Sequence, residues 1–540
     1  MSKTFSVDEL AKHNTEKDLW IAIEGDVFDL TKFQDIHPGG KRILKRVAGK
    51  DATKFFWKYH NDKILKKYKP KLQIGSLDKT AVASKLSAEE PTETALSANP
   101  TSGGYKLVKP LPPFGEQVPY GDPFWYTGAR SPYYNETHAA LRKEVRDYVE
   151  ECLEPYVDEW DEARDMPNSV YEEFAKRGFL AGYLGAALPE NCKNLWKIKS
   201  ASFDQWDGFH SLIITDEIMR LGSTGLMWNL TGGYGIGLPP LIRWGKKEVV
   251  DRVAPEVVSG KKRICLCITE PDAGSDVANL TTTAVLSDDK KYFIVNGEKK
   301  WITNGIYADY FTVAVRTGGP GMGGISMLLI ERSFGGVETR KLDCMGVWAS
   351  GTTYISFEDV KVPVENLIGE LNQGFKVIVT NFNHERMAIC VQAARCARVC
   401  VEESIKYAHR RETFGKRLID HDVIRNKIAQ MACKVEATQC GVENAVYQIQ
   451  SMPDEESMIR MGGYIAGLKA QCTQTYEFCV REASQVFGGL SYTRGGVGGK
   501  IERLFRETKA YTIPGGSEEI MLDLSIRQAL RVHKRFGAKL

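Results

Sequence analysis

Residues 381–417, NFNHERMAICVQAARCARVCVEESIKYAHRRETFGKR, decide how the chain is read. Residues 382–414 contain neither Pro nor Gly and are rich in Ala, Arg and Glu, so they predict one long helix that stops near Gly415. Asn381 or Asn383 can cap its start, which puts Glu385 and Arg386 in the first turn. A carboxylate in a first turn is favoured by the helix dipole, so Glu385 reads either as a helix-start charge or as a working carboxylate.

The rest of the chain must say which. With 540 residues it is too long for one hydrophobic core, and three or four structural units are expected. A content of 43% hydrophobic and 26% charged residues is that of a soluble globular protein. The net charge is only +3 and the basic residues are interleaved with acids, so no nucleic-acid surface is expected. The cysteines all lie from Cys152 onward and none has CxxC spacing. They read as reduced thiols of an intracellular protein rather than a disulfide or zinc framework. No apolar run approaches the length of about 18 residues that a membrane span needs. The N-terminal MSKTFSVDELAKHNTEKD carries acids early and lacks an apolar stretch, so it reads as neither a secretory signal nor a typical mitochondrial presequence. The final Ala538, Lys539 and Leu540 resemble the peroxisomal Ser-Lys-Leu tail, which makes the expected location peroxisomal and otherwise cytoplasmic.

Working back to the N-terminus, residues 1–77 form a compact unit. WIAI (20–23) and VFDL (27–30) flank Glu24, Gly25 and Asp26 as two strands and a turn. FQDIHPGG (33–40) supplies His37, and ATKFFWKYH (52–60) supplies His60, with no histidine between them. Two neutral imidazoles can hold a haem iron from opposite faces, and Leu44, Val47, Ala48, Phe55 and Phe56 could line the slot. The histidine pair, the HPGG turn and AGKDAT (48–53) resemble the cytochrome b5 domain. That resemblance implies haem b with His37 and His60 as axial ligands; Asn61 departs from the usual Ser. His13 reads as structural.

Residues 78–104 are rich in Ser, Thr, Ala, Glu and Pro and read as a flexible linker. Residues 105–261 are an irregular lead followed by helices, with one apolar face on Ala140, Leu141, Val145, Tyr148 and Val149. Gly232, Gly233, Gly235 and Gly237 read as a break in those helices, open either to a flavin or to simple helix termination. Over 262–370 the period switches to strands, at 264–269, 292–295, 310–315, 325–330 and 353–357. Gly319, Gly321 and Gly324 spell GxGxxG, but between two strands with no helix after them they make a hairpin loop and not a dinucleotide fingerprint. Residues 371–540 return to helices.

Helices, β-domain, helices is the order of the acyl-CoA dehydrogenase family, and residues 132–531 resemble it. ITEPDAGSD (268–276) is similar to that family's flavin and thioester loop, which implies Thr269 at the isoalloxazine and Ser275 at the acyl-CoA. KWITNG (300–305) implies Trp301 packed on the flavin and Thr303 at its reactive edge. Arg411, Thr413 and Phe414 resemble the pyrophosphate site for a neighbouring subunit's FAD, and Gln485, Gly488 and Gly489 the turn at its ADP half. Those last two sites imply a homodimer or homotetramer. Ser517 and Glu519 fall at cofactor contacts, and Asn383 and Arg386 on the acyl-CoA side.

Such enzymes need a base for the α-proton. Where many members carry a Glu near the C-terminus, this chain has Gly515, in IPGGSEEI (513–520). Isovaleryl- and long-chain-type members place the base on the long helix before an Arg, the position of Glu385. Glu518 and Glu519 are the alternatives. The expectation is a multidomain protein: a small α+β cytochrome b5-like haem domain, then an acyl-CoA dehydrogenase fold of N-terminal α-helical, middle β and C-terminal four-helix-bundle-like α domains. It would oxidise a long or branched acyl-CoA with FAD and pass electrons to its haem. An oxygen-using acyl-CoA oxidase and an inactive electron-transfer module are the rivals.

Overall fold

A computed structural model describes residues 3–35, 37, 41–60, 62–78 and 108–536. The HPGG glycines, Asn61, most of the linker and the C-terminal tripeptide fall outside them.

The first unit wraps helices α1 (Val7–Lys12), α2 (Lys41–Val47), α3 (Thr53–Tyr59) and α4 (Asp62–Leu72) around a five-stranded sheet. Its strands are β1 (Lys3–Phe5), β2 (Asn14–Thr15), β3 (Asp18–Ile23), β4 (Asp26–Asp29) and β5 (Gln73–Leu77), in spatial order β1-β5-β4-β3-β2. The core gathers Leu19, Ile21, Phe28 and Leu30 with Leu44, Val47, Ala48 and Phe56. Phe55, expected in that slot, lies exposed: one residue along a helix turns a side chain by about 100°, so Phe55 and Phe56 cannot share a face. Trp57 is buried at 8% exposure although it belongs to neither of the unit's apolar clusters. Its ring lies under the Arg410 guanidinium, 4.2 Å away, at the end of the long helix of the main body.

The main body starts with helices α5 (Glu136–Tyr148), α6 (Val157–Ala163), α7 (Asn168–Lys176), α8 (Phe179–Leu184), α9 (Gly208–Met219), α10 (Thr224–Met227), α11 (Gly233–Trp244) and α12 (Lys247–Val258). Leu141, Val145, Tyr148 and Val149 are buried as expected, whereas Ala140 faces outward. The glycine run does not break the helices. A π turn at Trp228–Gly232 passes directly into α11, and Gly233, Gly235 and Gly237 are buried inside that helix against Ile264, Tyr183 and Cys265.

Strands β6 (Ile264–Cys267), β7 (Thr283–Leu286), β8 (Tyr292–Ile302), β9 (Tyr310–Arg316), β10 (Ile325–Glu331), β11 (Val337–Lys341), β12 (Thr353–Pro363) and β13 (Leu367–Ile368) form one sheet. Its order is β11-β12-β8-β7-β9-β10-β13, with β6 added parallel to β9. β9 and β10 are central and buried on both faces, which is why they read as unbroken apolar runs. They pair antiparallel across the GxGxxG stretch, as a hairpin.

The last region holds α13 (Gly374–Arg410), the small hairpin β14 (Glu412–Thr413) and β15 (Lys416–Arg417), α14 (Asp422–Gln450), α15 (Asp454–Phe487), α16 (Gly499–Glu507), α17 (Lys509–Thr512) and α18 (Glu518–Arg535). The helix at residues 381–417 therefore begins earlier and ends sooner than its sequence suggests. Gly374 lies against the Ser326 backbone, where a Cβ would come within 2.5 Å, and Val377 and Ile378 are buried from the first turns. Packing against β10 starts the helix seven residues before Asn381, where local capping signals have no say. Glu385 consequently sits in the helix interior, which removes the helix-start reading. Two arginines buried in α13 fasten it to its neighbours: Arg395 to Asp216 of α9 at 2.8 Å and Arg398 to Glu436 of α14 at 2.5 Å.

Candidate active site

A cleft of about 1300 Å³ opens between α13, the β6–β8 region, the 512–517 loop and α18. Ligand pockets commonly run about 300–1,000 Å³, so this one has room for more than a single small molecule. Trp228, Ile236, Leu266 and Phe375 give it apolar walls.

Glu385 lines this cleft from α13. Asn381, one turn earlier, donates from Nδ2 to Glu385 Oε1 at 2.6 Å and also to Ile236 O at 3.3 Å, so it orients the carboxyl rather than capping the helix. Burial pushes the Glu385 carboxyl up to about 7, against the smaller opposing pull of Asn381 and Arg386. A half-buried carboxylate that titrates near neutrality is suited to accept a proton. Arg386 turns from the same helix and donates from Nε to Gly515 O at 3.0 Å. Gly515 and Gly516 have φ of +70° and +100°, and a Cβ on Gly515 would come within 2.7 Å of Ile389 Cδ1. A side chain at this position would be strained by the left-handed backbone and would have to displace the Ile389 methyl.

The opposite wall comes from the sheet. Trp301 lies in a bulge of β8: Lys299 pairs with Ile355 and Ile302 with Thr353, leaving Lys300 and Trp301 opposite one residue. Its φ is +58°, rare for a bulky residue, and its ring stays 51% exposed at the cleft. Strain of this kind re-aims a side chain and concentrates at functional sites. Thr269, Ser275 and Thr303 line the cleft beside it. Beneath Thr269 a fully buried Lys299 donates to Ile268 O at 3.0 Å and to Glu270 Oε1 at 2.8 Å. Glu270 in turn accepts the Thr282 N–H at 2.9 Å and the Thr281 hydroxyl at 2.8 Å. Burial raises the Glu270 carboxyl, but Lys299 and these donors outweigh it and hold it down at about 2.

Asn383 and Ser517 also line the cleft. Glu519 does not. It lies exposed on the first turn of α18, held by its own backbone N–H and the Ser517 hydroxyl, because the turn of the helix carries it away from the loop. Glu518 accepts from the Thr473 hydroxyl at 3.0 Å. Arg411, Thr413, Phe414, Gln485, Gly488 and Gly489 are brought together elsewhere, at the far end of α13. Tyr407 and Phe487 stack there with ring centroids 4.4 Å apart, joining the hairpin to the end of α15. Phe414 is 97% exposed on that hairpin. Arg527, Arg531 and Arg535 went unnoticed in the sequence: they line the cleft at four-residue spacing on α18, and that spacing was the available signal.

In the first unit the His37 and His60 rings face each other with centroids 5.8 Å apart and planes at 45°, wider than van der Waals contact at about 3.5–4.0 Å. His60 Nδ1 lies 3.2 Å from Phe56 O. His37 Nδ1 is buried with no hydrogen-bond partner among the described residues. A facing imidazole pair fits an axial-ligand role. His13 is structural, stacked on Trp20 at 3.4 Å.

The helix–sheet–helix body with a neutral-range carboxyl at a large cleft has counterparts among known proteins. The family models for the acyl-CoA dehydrogenase N-terminal, middle and C-terminal domains match residues 135–261, 265–360 and 372–530. That of the cytochrome b5-like heme/steroid binding domain matches residues 6–78. An acyl-CoA dehydrogenase of Emericella nidulans is 43% identical over 427 residues, covering 78% of this chain and 98% of that protein. One of Alternaria alternata is 40% identical, covering 77% and 96%. The structure of an acyl-CoA dehydrogenase complexed with FAD from Bacillus anthracis superposes with a TM-score of 0.67 at 26% identity, covering 75% of this chain and 69% of that one. The chain belongs to the acyl-CoA dehydrogenase family, with a cytochrome b5-like domain in front. FAD-dependent dehydrogenation of an acyl-CoA is its chemistry, and the leading domain implies haem.

Proposed function

We propose that Glu385 is the base that takes the α-proton of a long or branched acyl-CoA, giving the trans-2-enoyl thioester. The observation that carries this is a carboxyl raised to about 7, oriented by Asn381 and facing a cleft of about 1300 Å³. FAD, when bound, supplies the hydride acceptor. Thr269, Trp301 and Thr303 would hold its ring, and Ser275 and Asn383 the acyl-CoA. Arg386 adds positive charge beside the thioester, and the α18 arginines suit the CoA phosphates. Arg411, Thr413, Phe414, Gln485, Gly488 and Gly489 form an exposed surface off the cleft, which favours a role toward a partner copy's FAD in a homodimer or homotetramer.

We further infer that electrons leave the flavin for the fused haem rather than for oxygen, a reading supported by the facing His37 and His60. Anaerobic mixing with a panel of acyl-CoAs, recording flavin and haem spectra, tests both parts. Flavin bleaching followed by haem reduction is expected. Bleaching without haem reduction, coupled to rapid oxygen uptake in air, would favour the oxidase. Replacing His37 or His60 by Ala should abolish the bis-histidine low-spin spectrum while FAD stays bound. Peroxisomal residence is proposed from Ala538, Lys539 and Leu540; a location unchanged on deleting them would refute it.

A further inference from the structure

The loop that closes the cleft beside Glu385 hangs from one ammonium group. Lys469, fully buried on α15, donates from Nζ to Gly516 O at 2.7 Å and Thr512 O at 3.2 Å. These two carbonyls bracket Ile513, Pro514 and Gly515, the segment on which Arg386 is seated. The contrast with Lys299 is informative. Lys299 is matched by Glu270, whereas no carboxylate lies within ion-pair distance of Lys469 among the described residues. A buried ammonium without a counter-ion is costly, and a Met or Leu would fill the same space more cheaply. What the lysine adds is direction. In a planar trans peptide the C=O and N–H point oppositely, so a Gly516 carbonyl turned toward α15 aims the Ser517 N–H away from it. Gly515, Gly516 and Ser517 line the cleft. A cation on the carbonyl also polarises the peptide and strengthens its N–H as a donor.

We propose that Lys469 is a positioning residue for acyl thioester oxidation: charged, it holds the 512–517 loop so that its amides face an oxygen acceptor in the cleft and Arg386 stays seated on Gly515. This rests on the reading of Glu385 as base. Burial lowers the ammonium to about 8, with Cys390 of α13 and Glu518 and Glu519 of α18 opposing that and Arg386 of α13 adding to it.

The test is anaerobic flavin reduction by the full FAD-loaded chain across pH, using the saturated acyl-CoA that reduces the wild type fastest. Wild type should rise through about pH 7 and fall partially through about pH 8. Lys469→Met should keep FAD and the acidic limb, lose the alkaline limb, and reduce its flavin up to roughly 10²-fold more slowly, the scale of a displaced active-site group. A wild-type rate with an unchanged alkaline limb in Lys469→Met would overturn the proposal. Should that variant fail to fold, the wild-type profile decides alone, since a rate flat above pH 8 is equally fatal. Failure of the Glu385 reading looks different: the acidic limb would be missing from wild type, and Glu385→Gln would remain active.

Discussion

Two glutamates, half-buried Glu385 and fully buried Glu507, are both pushed up to about 7, in each case chiefly by loss of solvation. Glu507, at the end of α16, accepts the Thr224 N–H at 2.8 Å and the Gly225 N–H at 3.3 Å, and so caps α10. Its oxygens are committed to backbone inside the core. Glu385 has one amide on one oxygen and a cleft in front of the other. A displaced titration therefore does not mark a base; an unclaimed oxygen facing a ligand-sized space does.

The widest separation of the two comes from Glu385→Gln. Loss of a general base costs roughly 10²- to 10⁴-fold, and flavin reduction should fall by that much with FAD content unchanged. Normal reduction would put Glu385 in the same class as Glu507. Moving the carboxylate back with Glu385→Gly and Gly515→Glu should restore nothing. Left-handed backbone at Gly515 and the nearby Ile389 methyl make that variant strained by about 1–3 kcal/mol, visible as a lower melting temperature. Recovery of activity would mean that the loop can rearrange. Glu507→Ala should leave the reduction rate alone and cost about 1–3 kcal/mol for each orphaned N–H, read by denaturant unfolding.

The smallest effect is on pH dependence. Both carboxyls are raised in the folded state, so between the ordinary value of 4.5 and about 7 the folded chain keeps protons the unfolded chain has released. Each contributes stability that is full at acid pH and lost as pH rises through about 7. Unfolding measured in Glu385→Gln and in Glu507→Ala should each lose part of that slope. Only Glu385→Gln should also change the pH profile of flavin reduction.

Much of this was legible in the chain. The reading of Glu385 as base came from the resemblance to the family, whereas the strands and the hairpin glycines stood in the sequence because they depend on near neighbours. The start of α13 did not, because contact with Ser326 sets it and capping does not. Lys299, Lys469 and Glu507 could not be told from surface charges, since what identifies them is a carbonyl, carboxylate or helix end brought from 29 or more residues away. Asn381 was seen, but as a cap, because its partner Glu385 only becomes reachable once both lie inside a helix.

The contact of Trp57 with Arg410 has a consequence for the traffic of electrons. From Glu385 to Arg410, α13 runs about 37 Å at its rise of about 1.5 Å per residue. Protein packed around that rod is an insulator. With Trp57 under Arg410, the domain that carries the paired imidazoles touches the end of α13, well along the helix from Glu385. The proposed transfer to the haem would then have to cover that span, or be made from a second molecule's cleft brought to that end of the rod.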